Sequence, residues 1–227
     1  MKGVVPKIRE LPAMKAIEEG IGRSAEMGRP AMYVSGFGLG GLSTNKGPGH
    51  MAGLGILNKI AETSAELGVD LICALPWPEQ LPIADAIVRQ AYLVAGHPEG
   101  FKPENVRYTA PQSWGHTLSV MGMIERERPS AVFPIGAFSG EALLVAWTSY
   151  TYGAFQVGGT DSVSQMTYFA AVCDFVFVGP EIYAGEAVAT GNPVLLGSIF
   201  GEDIIKYATV IGLLVLTAIV AFGGIRI

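Results

Sequence analysis

Residues 12–49, PAMKAIEEGIGRSAEMGRPAMYVSGFGLGGLSTNKGPG, carry the pattern on which the rest of the chain is built. Met14, Ile17 and Ile21 recur at spacings of three and four, so they line one side of a helix. Pro12 opens that helix, where a missing N–H costs nothing, and Gly28 closes it, because glycine accepts the left-handed turn at a helix end. The uncharged run Ala31–Ser35 is too short for a helix and reads as a strand buried on both faces. A loop rich in glycine, residues 36–49, follows it.

The alternation repeats downstream. Further helices are expected at about 51–67, 81–95 and 113–128, ended by Gly68, Gly96 and Pro129. In the last of these, Trp114, Leu118, Met121 and Ile124 are expected to face the core. The remaining short apolar runs are Val69–Leu75, Asn105–Thr109, Ala131–Ile135, Ala154–Val157, Cys173–Val178 and Pro193–Ser198. The uncharged stretch Ala142–Thr160 reads as a buried helix and a strand, because Thr148, Ser149, Tyr150, Thr151 and Gln156 make it too polar to cross a membrane. Short apolar strands separated by helices, with no Asn-Gly or Asp-Gly hairpin signal, point to a parallel sheet covered on both sides. The expected fold is therefore α/β: a doubly wound, mostly parallel, Rossmann-like sheet over residues 11–200, after a tail of residues 1–10.

Residues 204–227 are expected to be a transmembrane anchor. Tyr207–Ile225, YATVIGLLVLTAIVAFGGI, contains no charge and is bracketed by Lys206 and Arg226. Nineteen helical residues span about 28 Å, close to the hydrocarbon thickness of a bilayer. The short passage 201–206 is expected to hold the domain close to the lipid. The first twenty residues hold no apolar stretch of signal-peptide length, so the expectation is a single-pass protein with its α/β domain in the cytoplasm.

Composition limits the function classes. Of the 227 residues, 15% are charged and 50% hydrophobic, which excludes a disordered chain, and the net charge of −5 gives no attraction to nucleic acid. The two cysteines, Cys73 and Cys173, lie in apolar runs and read as buried, reduced thiols. His50, His97 and His116 have no companion at metal-ligand spacing, and the sequence identifies no cofactor.

In a parallel sheet, ligands bind beyond the carboxyl ends of the strands. The loops there supply the candidate residues Gly36, Gly38, Gly41, Ser43, Thr44, Lys46, Ser139, Glu141, Thr160, Asp161 and Glu181. Gly36, Gly38 and Gly41 fit G-x-G-x-x-G, yet residues 43–49 separate them from the next helix, and no acidic residue ends the second strand. Dinucleotide binding of the usual kind is not expected. A looser role remains, in which the loop amides with Lys46, Ser43 and Thr44 hold an anionic group. Ser139, in GAFSGE, lacks the flanking glycines of a hydrolase nucleophile and reads as a helix cap. Residues 129–205 contain no Lys or Arg but hold Glu141, Asp161 and Glu181 at expected helix starts. Those three either cap helices or converge on a cation, a substrate amine or a neighbouring subunit's Arg.

LPAMKAIEEGIGRSAEMGRPAMYVSG, GAFSGEALLVAW and GGTDSVSQMTYFAAVCDFVFVGPEIYAGEA, with Glu26–Pro30 the most specific piece, resemble an uncharacterised prokaryotic family of membrane-associated proteins known as a domain of unknown function. The resemblance implies a cytoplasmic α/β domain held at a membrane and assigns no catalytic residue. Two functions compete. One is a ligand- or partner-binding, oligomerising subunit of a membrane assembly, with the bilayer and further copies or other subunits as partners. The other is a membrane-face enzyme for a phosphorylated or nucleotide-like molecule, with Lys46 on the anion and Glu141 or Asp161 as acid, base or metal ligand.

Overall fold

A computed structural model describes residues 10–223 of the chain. Most of the expected N-terminal tail and the end of the apolar segment, from Gly224, lie outside the described residues. Helix α1, Pro12–Met27, begins on its proline and ends on Gly28, which sits at φ 61°. Strand β1, Ala31–Val34, is buried throughout, as its uncharged sequence requires. Then come α2 Gly47–Glu66, β2 Leu71–Leu75, α3 Leu81–Val94, β3 Val106–Tyr108, α4 Ser113–Glu127 and β4 Ala131–Pro134. The chain continues through α5 Ala142–Thr151, β5 Phe155–Gly159, α6 Val163–Val172, β6 Phe175–Phe177, α7 Glu181–Thr190 and α8 Pro193–Gly223.

The six strands are all parallel, in the order β3-β2-β1-β4-β5-β6. Ala31 of β1 is level with Leu71 on one side and Ala131 on the other. This is the doubly wound arrangement, in which the order reverses between β1 and β4. Strand alternation divides the core. Tyr33, Cys73 and Phe133 pack beneath α1, α2, α3 and α7, while Met32, Val34, Ile72 and Val132 pack beneath α4 and α5. Phe138, Ala142, Ala146 and Phe169 extend the second core to α6.

Several expectations fail. Helix α2 starts at Gly47, inside the stretch 43–49 expected to separate the glycines from it, and Ser139 does not cap α5, whose cap position is Glu141. Pro193–Ser198 is not a strand but the first turns of α8. Asn192 dictates this: its Oδ1 accepts the Val194 N–H at 2.9 Å, its carbonyl accepts the Leu196 N–H at 3.0 Å, and Pro193 suits a first turn. Trp114 and Leu118 do not face the core; they are 71% and 64% exposed. The inward side of α4 is His116, Thr117, Val120, Met123 and Ile124.

From Pro193 to Val220, α8 is long and apolar enough to cross a membrane, with a mean hydropathy of 2.0 and none of its most apolar stretch buried in the protein. It runs without a break through residues 200–206, so no loop separates the anchor from the domain.

Candidate functional site

The reversal of strand order brings the loop after β1 beside the loop after β4. Their contact is direct. A Cβ on Gly36 would lie 1.9 Å from the Ala137 carbonyl oxygen, so only glycine fits there. Glu141, 2% exposed, ties the loops together: one carboxylate oxygen accepts the Phe37 N–H at 2.6 Å and the other the Ser139 N–H at 3.1 Å. The Ser139 hydroxyl stands 3.4 Å from that second oxygen. On the far side, Trp77 Nε1 donates to the Phe37 carbonyl at 2.5 Å and the two rings stack 4.9 Å apart. Phe37, Ala137 and Phe138 thus fill the crevice where a pyrophosphate would lie in a dinucleotide-binding fold. Gly36 serves loop packing. Gly41 makes room for Glu79, which accepts the Leu42 N–H at 3.2 Å, and Gly38, at φ 40°, lies against the His50 ring.

Beside this sealed crevice lies a more open rim. Lys46 Nζ stands 3.7 Å from Asp161 Oδ2, the two side chains 30% and 16% exposed, and Asp161 Oδ1 is buried with no hydrogen-bond partner. Gly49, in the first turn of α2, brings that helix close enough that a Cβ would meet the Asp161 carboxylate at 3.0 Å. The next residue, His50, is fully buried, with the Gly40 backbone beside its ring but no well-formed hydrogen bond at either nitrogen. Burial pushes its pKa below the usual histidine range, against the opposing pull of the Gly40 backbone and the Asp161 and Glu79 carboxylates. From α7, Tyr183 and Glu186 complete the surroundings. Burial and the neighbouring Asp161 and Glu186 raise the Tyr183 phenol, and burial raises the Glu186 carboxyl.

The remaining candidates are structural in their contacts. Thr44 Oγ1 donates to the Gly40 or Gly41 carbonyl and accepts the Lys46 N–H, which shapes the loop, and Ser43 is exposed beside it. Buried Thr160 accepts the Ser162 N–H at 3.3 Å. Glu181 opens α7 and accepts the Val178 N–H at 3.0 Å, as a helix-start carboxylate should. Lys46 and Asp161 therefore meet, and so do Ser139 and Glu141, but Glu141, Asp161 and Glu181 are each engaged differently. Among the described residues, no three His, Cys, Asp or Glu side chains gather as metal ligands.

His116 belongs to the same edge. Thr109 Oγ1 donates to the Leu75 carbonyl at 3.1 Å, so its contact with His116 Nδ1 at 2.7 Å is received from an Nδ1–H. Nε2 is buried without a well-formed hydrogen bond, and the Ser35 backbone is the ring's other polar neighbour. A separate hollow of about 210 Å³ lies at the opposite edge of the sheet, lined by Ala65, Asp70, Tyr92 and His97 among others, with Asp70 held by Lys102 at 2.6 Å.

His50, Tyr183, Glu79 and Glu186 escaped the sequence reading. Glycines mark three of them, Gly38 against His50, Gly41 against Glu79 and Gly55 against Glu186, and the α2 series at 49, 53 and 55 brings that helix close to its neighbours. A Cβ there would strike Asp161, the Ile135 carbonyl and Glu186 respectively.

Neither a curated protein nor a solved structure matches the chain. A family model does, and its match continues past the α/β domain into the apolar C-terminal segment. The chain belongs to the family defined by the domain of unknown function DUF6754, whose model covers residues 2–226.

Proposed function

We propose that this protein is a membrane-held binding subunit, its Rossmann-like domain on the cytoplasmic side and its ligand seated over the rim of Lys46 and Asp161. One observation carries the reading: polar capacity is left unused at the carboxyl edge of the sheet. The Lys46–Asp161 pair is loose at 3.7 Å, Asp161 Oδ1 is buried without a partner, and the buried His50 ring has the Gly40 backbone beside it but no well-formed hydrogen bond. Each such group costs about 1–3 kcal/mol when nothing satisfies it. A ligand that satisfies them recovers that cost.

The chemistry of the rim selects the ligand class. Lys46 and the amino end of the 20-residue α2 favour an anionic group. Asp161 Oδ1 calls for a hydroxyl or amino donor on the same molecule. A small phosphorylated or carboxylated compound bearing a hydroxyl or amine meets both demands. The unpaired thiols Cys73 and Cys173 favour the reducing side of a membrane, and burial holds the Cys73 pKa up at about 12. An enzymatic version with Glu141 as acid or base has less support, because both Glu141 oxygens already accept backbone amides.

The test is thermal stability of the full chain in mild detergent against nucleotides, sugar phosphates and amino-alcohol phosphates. A matching compound near saturation is expected to raise Tm by about 5 °C or more. Lys46→Ala and Asp161→Asn should abolish the shift, whereas Lys59→Ala, which removes a distant pair with Glu18, should leave it intact. A panel without effect, or a shift indifferent to Lys46, overturns the reading.

A further inference from the structure

The two sides of the sheet present opposite surface chemistry. Helices α1, α2 and α3 show solvent a charged exterior, with ion pairs Glu19–Arg23 at 2.6 Å, Asp85–Arg89 at 3.0 Å and Glu18–Lys59 at 2.8 Å. On the other side, α5 and α6 contain no charged residue, and the charges of α4 are confined to Glu125, Arg126 and Glu127 in its last turn. These three helices pack side by side, and their outer surface is mostly apolar and aromatic, with Thr151, Ser164 and Thr167 exposed among the apolar side chains.

Trp114 and Leu118 stand one turn apart on α4, 71% and 64% exposed. Leu143, Trp147 and Tyr150 follow at the i, i+4, i+7 positions of α5, 39%, 58% and 61% exposed, and the Trp147 and Tyr150 rings lie 5.7 Å apart. Val163 extends the surface onto α6 at 71% exposure. Large side chains cover about 150–250 Å² each, so these residues leave roughly 550–900 Å² open. That lies at or above the top of the ~300–600 Å² range for the largest apolar patch on an ordinary monomer, and it brackets the ~800 Å² each partner contributes to a stable complex.

We propose that the α4–α6 face is a homodimer interface in which the face meets a second copy of itself. Its neutrality argues for this occupant. Each chain carries a net charge of −5, and a face without charge is one through which two such chains approach without like-charge contact. A two-fold contact requires a surface complementary to itself, which uncharged helices bearing aromatic and aliphatic side chains provide. The face also lies across the sheet from α7, which leads into α8, so the pairing leaves the apolar helix free for lipid. The inference is independent of the Lys46–Asp161 rim.

Light scattering of the full chain in mild detergent is the test. The polypeptide mass is expected to be twice 23.9 kDa. Trp147→Glu and, separately, Tyr150→Lys should raise the dimer dissociation constant roughly 30-fold or more while leaving the circular dichroism spectrum unchanged. The control Leu93→Lys, on the exposed side of α3, should leave the dimer intact. Using two separate variants guards against one of them failing to fold. A wild-type monomer at micromolar concentration overturns the proposal. So does a dimer that survives both variants, which would place association in α8 or elsewhere. A monomer whose tryptophan emission is quenched by brominated lipid would assign the face to the bilayer and overturn it equally.

Discussion

Glu141 illustrates how a carboxylate at the edge of a parallel sheet is used up by architecture. Its two oxygens hold the Phe37 and Ser139 amides, and a side chain bearing its own N–H group would set donor against donor. Glu141→Gln is therefore expected to cost about 2–3 kcal/mol, read as a Tm lowered by about 5–10 °C with the loops loosened around Gly36. The sequence showed that Glu141 and Ser139 stand between a strand and a helix, but not what they hold, because their partner is a backbone amide 104 residues away. Lys46 and Asp161 were both legible as candidates, and their pairing was not. His50 was read as one of three scattered histidines. Its role depends on burial against Gly38, which no spacing rule reports.

Among the elements, proline and glycine punctuation was read well, and side-chain caps and direction poorly: Ser139 does not cap α5. Pro12, Gly28 and Pro129 end or begin helices as local chemistry requires. Trp114 and Leu118 were expected inside because they are apolar. The face of α4 that meets the sheet is instead fixed by Val120 and Ile124 against β1, β2 and β4. Pro193–Ser198 has the apolarity of a strand but the cap of a helix, and the cap decides. The element with the clearest forecast is α8. Replacing Leu213 and Leu216 by Arg would place two charges in its apolar middle, each costing about 2.5–3.5 kcal/mol on insertion. The wild-type chain is expected in the membrane pellet after a carbonate wash, and the doubly charged variant in the supernatant. A wild-type chain released by the wash would refute the anchor.

For the whole molecule, layering and parallel pairing followed from the alternation of segments, but the count was one strand too high because Pro193–Ser198 is helical, and the order 3-2-1-4-5-6 did not follow, because parallel strands are joined by crossovers whose destinations leave no local mark. The fold also sets an acid limit. Burial pulls the His116 pKa down to about 4, and the Ser35 backbone offsets this only in part; His50 shifts the same way. Unfolded histidine titrates near 6.5, so between about 6.5 and 4 the unfolded chain binds the extra proton. Stability is thus fully present above the unfolded value and falls as pH drops through that window, by on the order of 3 kcal/mol for His116. Denaturant midpoints measured from pH 7.5 to 4.5 should decline accordingly, and His116→Gln should flatten the slope. An unchanged slope would show that His116 is not the group responsible.

The junction of α7 and α8 has a mechanical consequence. Gly191 and Asn192 alone separate the two helices, and the charged Glu202, Asp203 and Lys206 precede the greasy stretch of α8. Residues 193–206 then form a stiff mast of about 20 Å. With α8 in lipid, as proposed, the globule would be held aloft at a set height instead of swinging on a slack leash, and the proposed ligand would have to reach that altitude.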